Sequence, residues 1–201
     1  YRLEDLEKRN PVPAIFSPRV GDRNEALRVG DPVPMEGIVG FGVCAPPAQA
    51  SGKVFLADGD ARIWRAPISL PDLRPDFSKV ETVPMPPDGP RKPTDLVPLT
   101  DGRLLVADGG RVMLLEPDGD GYSVAAAFSA WGQAPQEHFG QRLRLAVDGP
   151  WMLVADTDRH RLVWIDWTEW QYLAEFGRTD EPGDDPVRLN TPTFVALAGT
   201  R

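Results

Sequence analysis

Three stretches of this chain run apolar at consecutive positions, open on a glycine and close on Ala-Asp. They are Gly52-Lys53-Val54-Phe55-Leu56-Ala57-Asp58, Gly102-Arg103-Leu104-Leu105-Val106-Ala107-Asp108 and Gly149-Pro150-Trp151-Met152-Leu153-Val154-Ala155-Asp156. The aspartates mark steps of 50 and 48 residues. After each comes a short polar or Gly turn, an arginine and a second apolar run: Arg62-Ile63-Trp64, Arg111 to Leu115, and Arg161 to Ile165. The turns have hairpin composition. A leading apolar run precedes each unit, at Phe41 to Ala45, Leu96 to Leu99 and Leu143 to Val147, and returns once more at Thr193 to Ala198. Weaker fourth strands are expected at Lys79 to Val83, Ser123 to Phe128 and Gln171 to Phe176.

Each unit thus predicts four short strands, and four-stranded units of about 40–50 residues are the mark of β-propeller blades. Runs such as Val54 to Ala57 lack the alternation of a solvent-facing sheet, so both faces of the second strand should be buried. Blades stacked around an axis bury both faces. A sandwich does so less readily.

The third unit adds a family pattern. Val154-Ala155-Asp156-Thr157-Asp158-Arg159-His160-Arg161-Leu162 resembles the core of the NHL repeat, and Phe176-Gly177-Arg178 and Leu189-Asn190-Thr191-Pro192 resemble its blade-to-blade linker. The match runs from Leu143 to Leu197. The units around Asp58 and Asp108 keep only the Asp and the Arg. The resemblance implies part of a six-bladed propeller, a fold that serves as a binding platform in most cases and as an enzyme in a few. The expected architecture is therefore all-β: a Pro-rich arm over residues 1–36, then an incomplete NHL-like propeller over 37–201. That propeller holds three four-stranded blades and the first strand of a fourth, where Gly37, Gly40 and Gly42 read as a flexible lead into the first blade. Further blades are expected outside this sequence. A four-bladed ring would need the arm, at Val12 to Phe16, to supply strands, and Pro11, Pro13 and Pro18 suit that badly.

Composition narrows the rest. Nineteen glycines and 22 prolines in 201 residues exclude a helical bundle. Thirty acidic against 22 basic residues give a net charge of -8, and no basic stripe breaks it, so nucleic acid is not the expected partner. No apolar run reaches the length of a membrane span. No targeting signal shows at Tyr1-Arg2-Leu3-Glu4. Cys44, the single cysteine, reads as a small buried apolar residue.

Candidate chemistry is sparse. The pairs Asp58/Arg62, Asp108/Arg111 and Asp156/Arg161 read as hairpin pins, because a feature repeated in every blade is architectural, whereas a cation site needs asymmetry. Asp118, Asp120, Asp184 and Asp185 are the candidates for calcium, on turns that do not fit an EF-hand loop. No other cofactor is expected. His138 and His160 are too few for a histidine-rich metal centre. No nucleophile elbow or phosphate loop occurs, so no catalytic residue is assigned. Trp64 and Trp164 sit in matching third strands, expected between blades, while Trp167 and Trp170 near the rim are read first as edge packing against a neighbouring blade and otherwise as candidates for contact with a partner. The expected function is a non-enzymatic scaffold binding a protein or small ligand. The alternative is a calcium-dependent hydrolase of lactones or similar esters.

Overall fold

The computed structural model describes residues 37–44, 51–69 and 74–197. The arm over residues 1–36, with Val12 to Phe16, lies outside the described residues, as do Ala45 and Ala198. The described chain is all-β, built of antiparallel sheets. In the first, β1 (Ile38–Cys44), β2 (Ser51–Asp58) and β3 (Ile63–Ser69) lie in order, with β4 (Arg74–Pro75) and β5 (Glu81–Thr82) both pairing with β3. In the second, β6 (Pro93–Pro98), β7 (Leu104–Asp108), β8 (Arg111–Asp118) and β9 (Gly121–Phe128) follow chain order. The third repeats that order with β10 (Leu143–Asp148), β11 (Trp151–Asp156), β12 (Arg161–Asp166) and β13 (Gln171–Gly177). The innermost strands β1, β6 and β10 meet side by side, as in propeller blades.

Burial follows the consecutive apolar runs. Phe55, Ala57 and Ile63 of blade 1 pack against Leu104, Val106 and Met113 of blade 2. The opposite face of blade 2, with Leu105, Ala107, Val112 and Leu114, packs against Met152, Val154, Val163 and Ile165 of blade 3. Every residue of β7 is buried, so removing both faces from water is what fixes its sequence as an unbroken apolar run. Blades 2 and 3 also share a bulge, between Leu114 and Leu115 and between Trp164 and Ile165, which leaves one extra residue on each outer strand.

Four expectations change. The fourth strand of blade 1 is split into β4 and β5, two residues each, with a 3-10 turn at Phe77–Lys79 between them. The leading run of a fourth blade is not a strand: residues 191–197 have no ladder, because a strand needs a hydrogen-bonded neighbour and this one has none among the described residues. Gly40 and Gly42 are not a loose lead but part of β1, where a Cβ on Gly40 would stand 2.8 Å from the Asp95 Cα and one on Gly42 2.2 Å from the Pro98 Cδ. Their missing side chains let the innermost strands of blades 1 and 2 touch. Trp164 is 41% exposed whereas Trp64 is buried. Trp64 faces Leu56 across the ladder but Trp164 faces Leu153, one residue further from the hairpin, and a one-residue step turns a side chain to the other face.

Candidate functional site

The hairpin aspartates are all buried. Asp58 accepts from Asp60 N and Arg62 N with one oxygen, and from Arg62 Nε at 2.9 Å and the Trp64 indole at 2.8 Å with the other. Burial pushes its carboxyl up, but these donors, Trp64 foremost, bring it below the ordinary range. Asp108 accepts from Arg111 Nε and Nη2, at 3.0 and 2.8 Å. Its other oxygen takes the amides of Arg91 and Lys92, which belong to the connector entering blade 2. Asp156 likewise takes Gly140 N from the connector into blade 3, and Arg161 Nε at 3.0 Å. In blades 2 and 3 the aspartate therefore ties hairpin to connector, a role the sequence reading assigned to the turn alone. Each following residue repeats one backbone bond at 3.1 Å: Gly59 to Gly37 O, Gly109 to Lys92 O, Thr157 to Arg142 O.

Arg161 carries the densest network. It is fully buried, lies over the Trp131 ring at 4.7 Å, and donates to Gln136 O, His138 O and Thr179 Oγ1 besides Asp156. Desolvation nevertheless raises the Asp156 carboxyl against the pull of this guanidinium.

A second polar cluster escaped sequence reasoning. Thr94, Asp95 and Arg144 lie on the innermost strands. Thr94 Oγ1 donates to Leu143 O at 2.9 Å, and Asp95 accepts from Leu96 N and Leu145 N, both at 2.9 Å. Arg144 Nη1 donates to Val39 O and Thr94 O, so one guanidinium joins three blades. Burial raises the Asp95 carboxyl. The available signal was that Arg144 interrupts one apolar leading run and Asp95 stands just ahead of another, each facing the alanine of an Ala-Asp pair. These strands and Thr193 to Leu197 line a groove of about 540 Å³, chiefly aliphatic.

The third feature lies at the rim between blades 2 and 3. Phe128 stacks on Trp170 with centroids 5.5 Å apart, and Trp131 stacks on Tyr172 at 4.8 Å. They line a cleft of about 720 Å³ with Gln133, His138 and Gln171. The polar tips of Trp131, Trp170 and Tyr172 have no hydrogen-bond partner among the described residues, and none is a buried orphan, so all three reach solvent. Trp170 holds a left-handed backbone, φ 53°, where a bulky L residue costs about 1–2 kcal/mol. Trp167, the other aromatic singled out for a partner, is buried; its indole donates to Gly149 O and Arg103 covers its ring.

The calcium candidates sit apart. Asp118 and Asp120 are exposed at the β8–β9 hairpin, Asp184 is exposed, and half-buried Asp185 already takes Val187 N, Arg188 N and Arg188 Nε. Among the described residues no three His, Cys, Asp or Glu side chains are grouped to hold a metal ion. His138 is exposed, and His160 accepts Thr191 N on its Nδ1. Cys44 is buried and donates to Leu99 O; burial pushes its thiol up. No helix among the described residues is long and apolar enough to cross a membrane.

No family model matches the chain. No curated protein matches it either. Among solved structures it is similar to hydrazine synthase of Kuenenia stuttgartiensis, 12% identical over 72% of this chain and 36% of that one, with a TM-score of 0.43. It is also similar to a protein of unknown function from Bacteroides caccae, 12% identical over 67% of this chain and 44% of that one, with a TM-score of 0.41. The chain spans less than half the length of either.

Proposed function

We propose that this chain is a non-enzymatic propeller-like scaffold of NHL-like repeats that binds a ligand at the rim between blades 2 and 3. The observation that carries it is the aromatic cleft, where Trp131, Trp170 and Tyr172 present solvent-reaching donors beside stacked rings. Its size falls within the usual range of ligand sites, and its stacked rings stand among the polar groups of Ser129, Gln133, His138 and Gln171. Glycine suits the left-handed position that Trp170 occupies, so a tryptophan there carries a cost in backbone strain. Hairpins and blades hold their places through the Asp–Arg pins, which leaves the rim side chains free to vary.

The test is the indole N–H signals of Trp131 and Trp170 in two-dimensional NMR, titrated separately with a short proline-rich peptide and with a neutral oligosaccharide. One probe should shift both signals, and Trp170→Gly should abolish the response while leaving the fold intact. Silence of both indoles at millimolar concentrations of either probe overturns the reading. Lactone hydrolysis that disappears on chelation of calcium would replace it with the hydrolase.

A further inference from the structure

The rim cleft between blades 2 and 3 is short of charge in a chain that is rich in it. Asp, Glu, Lys and Arg make up 26% of the sequence, yet among the described residues none of them lines this cleft. The charges beside it are spent elsewhere. Arg161 is 0% exposed and bound to Asp156 and two connector carbonyls, while Glu137 Oε2 accepts from Ala134 N at 2.7 Å. An ionic ligand would give up hydration here and meet no counter-charge.

The polar groups that do line the cleft have no protein partners. Ser129, Gln133, His138 and Gln171 are exposed, and their side chains make no hydrogen bond among the described residues. Hydroxyl, amide and imidazole each supply a donor and an acceptor. A ligand that covers them must offer both in return. Sugar hydroxyls do, because each donates one hydrogen and accepts on its lone pairs. A proline-rich segment offers carbonyls but no N–H at its prolines, so it leaves the amide oxygens of Gln133 and Gln171 covered and unpaired.

Ring geometry favours the same ligand. The planes of Phe128 and Trp170 lie 26° apart at 5.5 Å, and those of Trp131 and Tyr172 lie 18° apart at 4.8 Å. Rings that close leave no slot for a proline between the members of either pair. Phe139 meets Phe128 and Trp131 edge-on and ties the pairs together. What a ligand finds is flat, electron-rich ring surface, which suits the C–H face of a pyranose.

We propose, on the footing of the rim reading above, that the ligand is a neutral oligosaccharide. Its C–H faces pack on the rings of Trp170 and Tyr172, and its hydroxyls exchange hydrogen bonds with Gln133 and Gln171. The cleft, about 720 Å³, has room for more than one sugar ring.

The test titrates the 201-residue chain with cellohexaose, maltohexaose, hexagalacturonate and decaproline, following the indole N–H signals of Trp131 and Trp170 by NMR. A neutral hexasaccharide should shift both indoles, and the charged one should bind several-fold more weakly. Combining Gln133→Met with Gln171→Met, both at exposed positions, should weaken the sugar roughly ten-fold with the spectrum otherwise unchanged. Hexagalacturonate binding as tightly as the neutral sugars, or undiminished sugar affinity in the double variant, overturns the proposal. A response to decaproline with none to either neutral sugar overturns it too, but leaves the rim site standing as a seat for a proline-rich peptide. Silence of both indoles toward every probe overturns the rim reading itself, and this proposal with it.

Discussion

Blade 1 and blade 3 use the same aspartate for different work. At Asp58 every acceptor site is filled from its own hairpin, and its arginine, Arg62, keeps a third of its surface in water. At Asp156 the arginine is completely buried and continues past the carboxylate to hold two connector carbonyls and cover Trp131. The first arrangement locks a turn. The second fastens two blades together. Repeat position sets which residues pair, and the segment packed over the pair sets what breaking it costs.

The largest effect should come from Arg161→Met, which nearly keeps the volume and leaves the Asp156 carboxyl buried without its guanidinium partner. A loss of about 3–5 kcal/mol in urea unfolding is expected. Arg62→Ala, by contrast, should cost at most about 1 kcal/mol, as for other half-exposed pairs. Equal losses in the two variants would erase the distinction between the blades. Asp58→Ala falls between them at about 1–3 kcal/mol, since it strands the Trp64 indole and two turn amides, and near-native stability would contradict that accounting.

Acid titration sharpens the contrast by sign. The folded Asp58 carboxyl lies below its unfolded value, so its stabilisation is full above the unfolded value and is lost as pH falls through the folded one. Asp58→Asn should flatten the acid limb of stability against pH. Folded Asp156 is raised, so its linked contribution is full below the unfolded value and declines as pH rises through the folded one. Asp156→Asn should therefore steepen the acid limb; a flattened limb in that variant would reverse the assignment. The smallest effect belongs to the exposed hairpin tip, where Asp120→Ala should alter stability by no more than about 0.5 kcal/mol.

Several elements were legible because local chemistry decides them. Gly109 and Gly110, at φ 54° and 90°, fill the two-residue loop between Asp108 and Arg111, and such a hairpin needs positive φ at both places. The rim cleft was half legible. Trp170 was visible as a candidate, but Trp131 comes from the connector between blades, and no spacing relates it to Tyr172. Trp164 was misplaced because its aromatic character matches Trp64, while only strand register tells which face it takes.

Periodicity, turn residues and the repeated Ala-Asp therefore determined the strands of blades 2 and 3 and the first three of blade 1, their order within each sheet and the residues that pin each hairpin. All of these act over a few neighbouring positions, where backbone sterics and alternation leave little choice. Tertiary structure decided which arginines are buried, that Gly40 and Gly42 meet Asp95 and Pro98, that Arg144 joins three blades, and that Leu114 is buried while Trp164 at the matching position is exposed. Those outcomes depend on what arrives from about 50 residues away. A side chain's own sequence neighbourhood carries no record of the surface that will be packed against it.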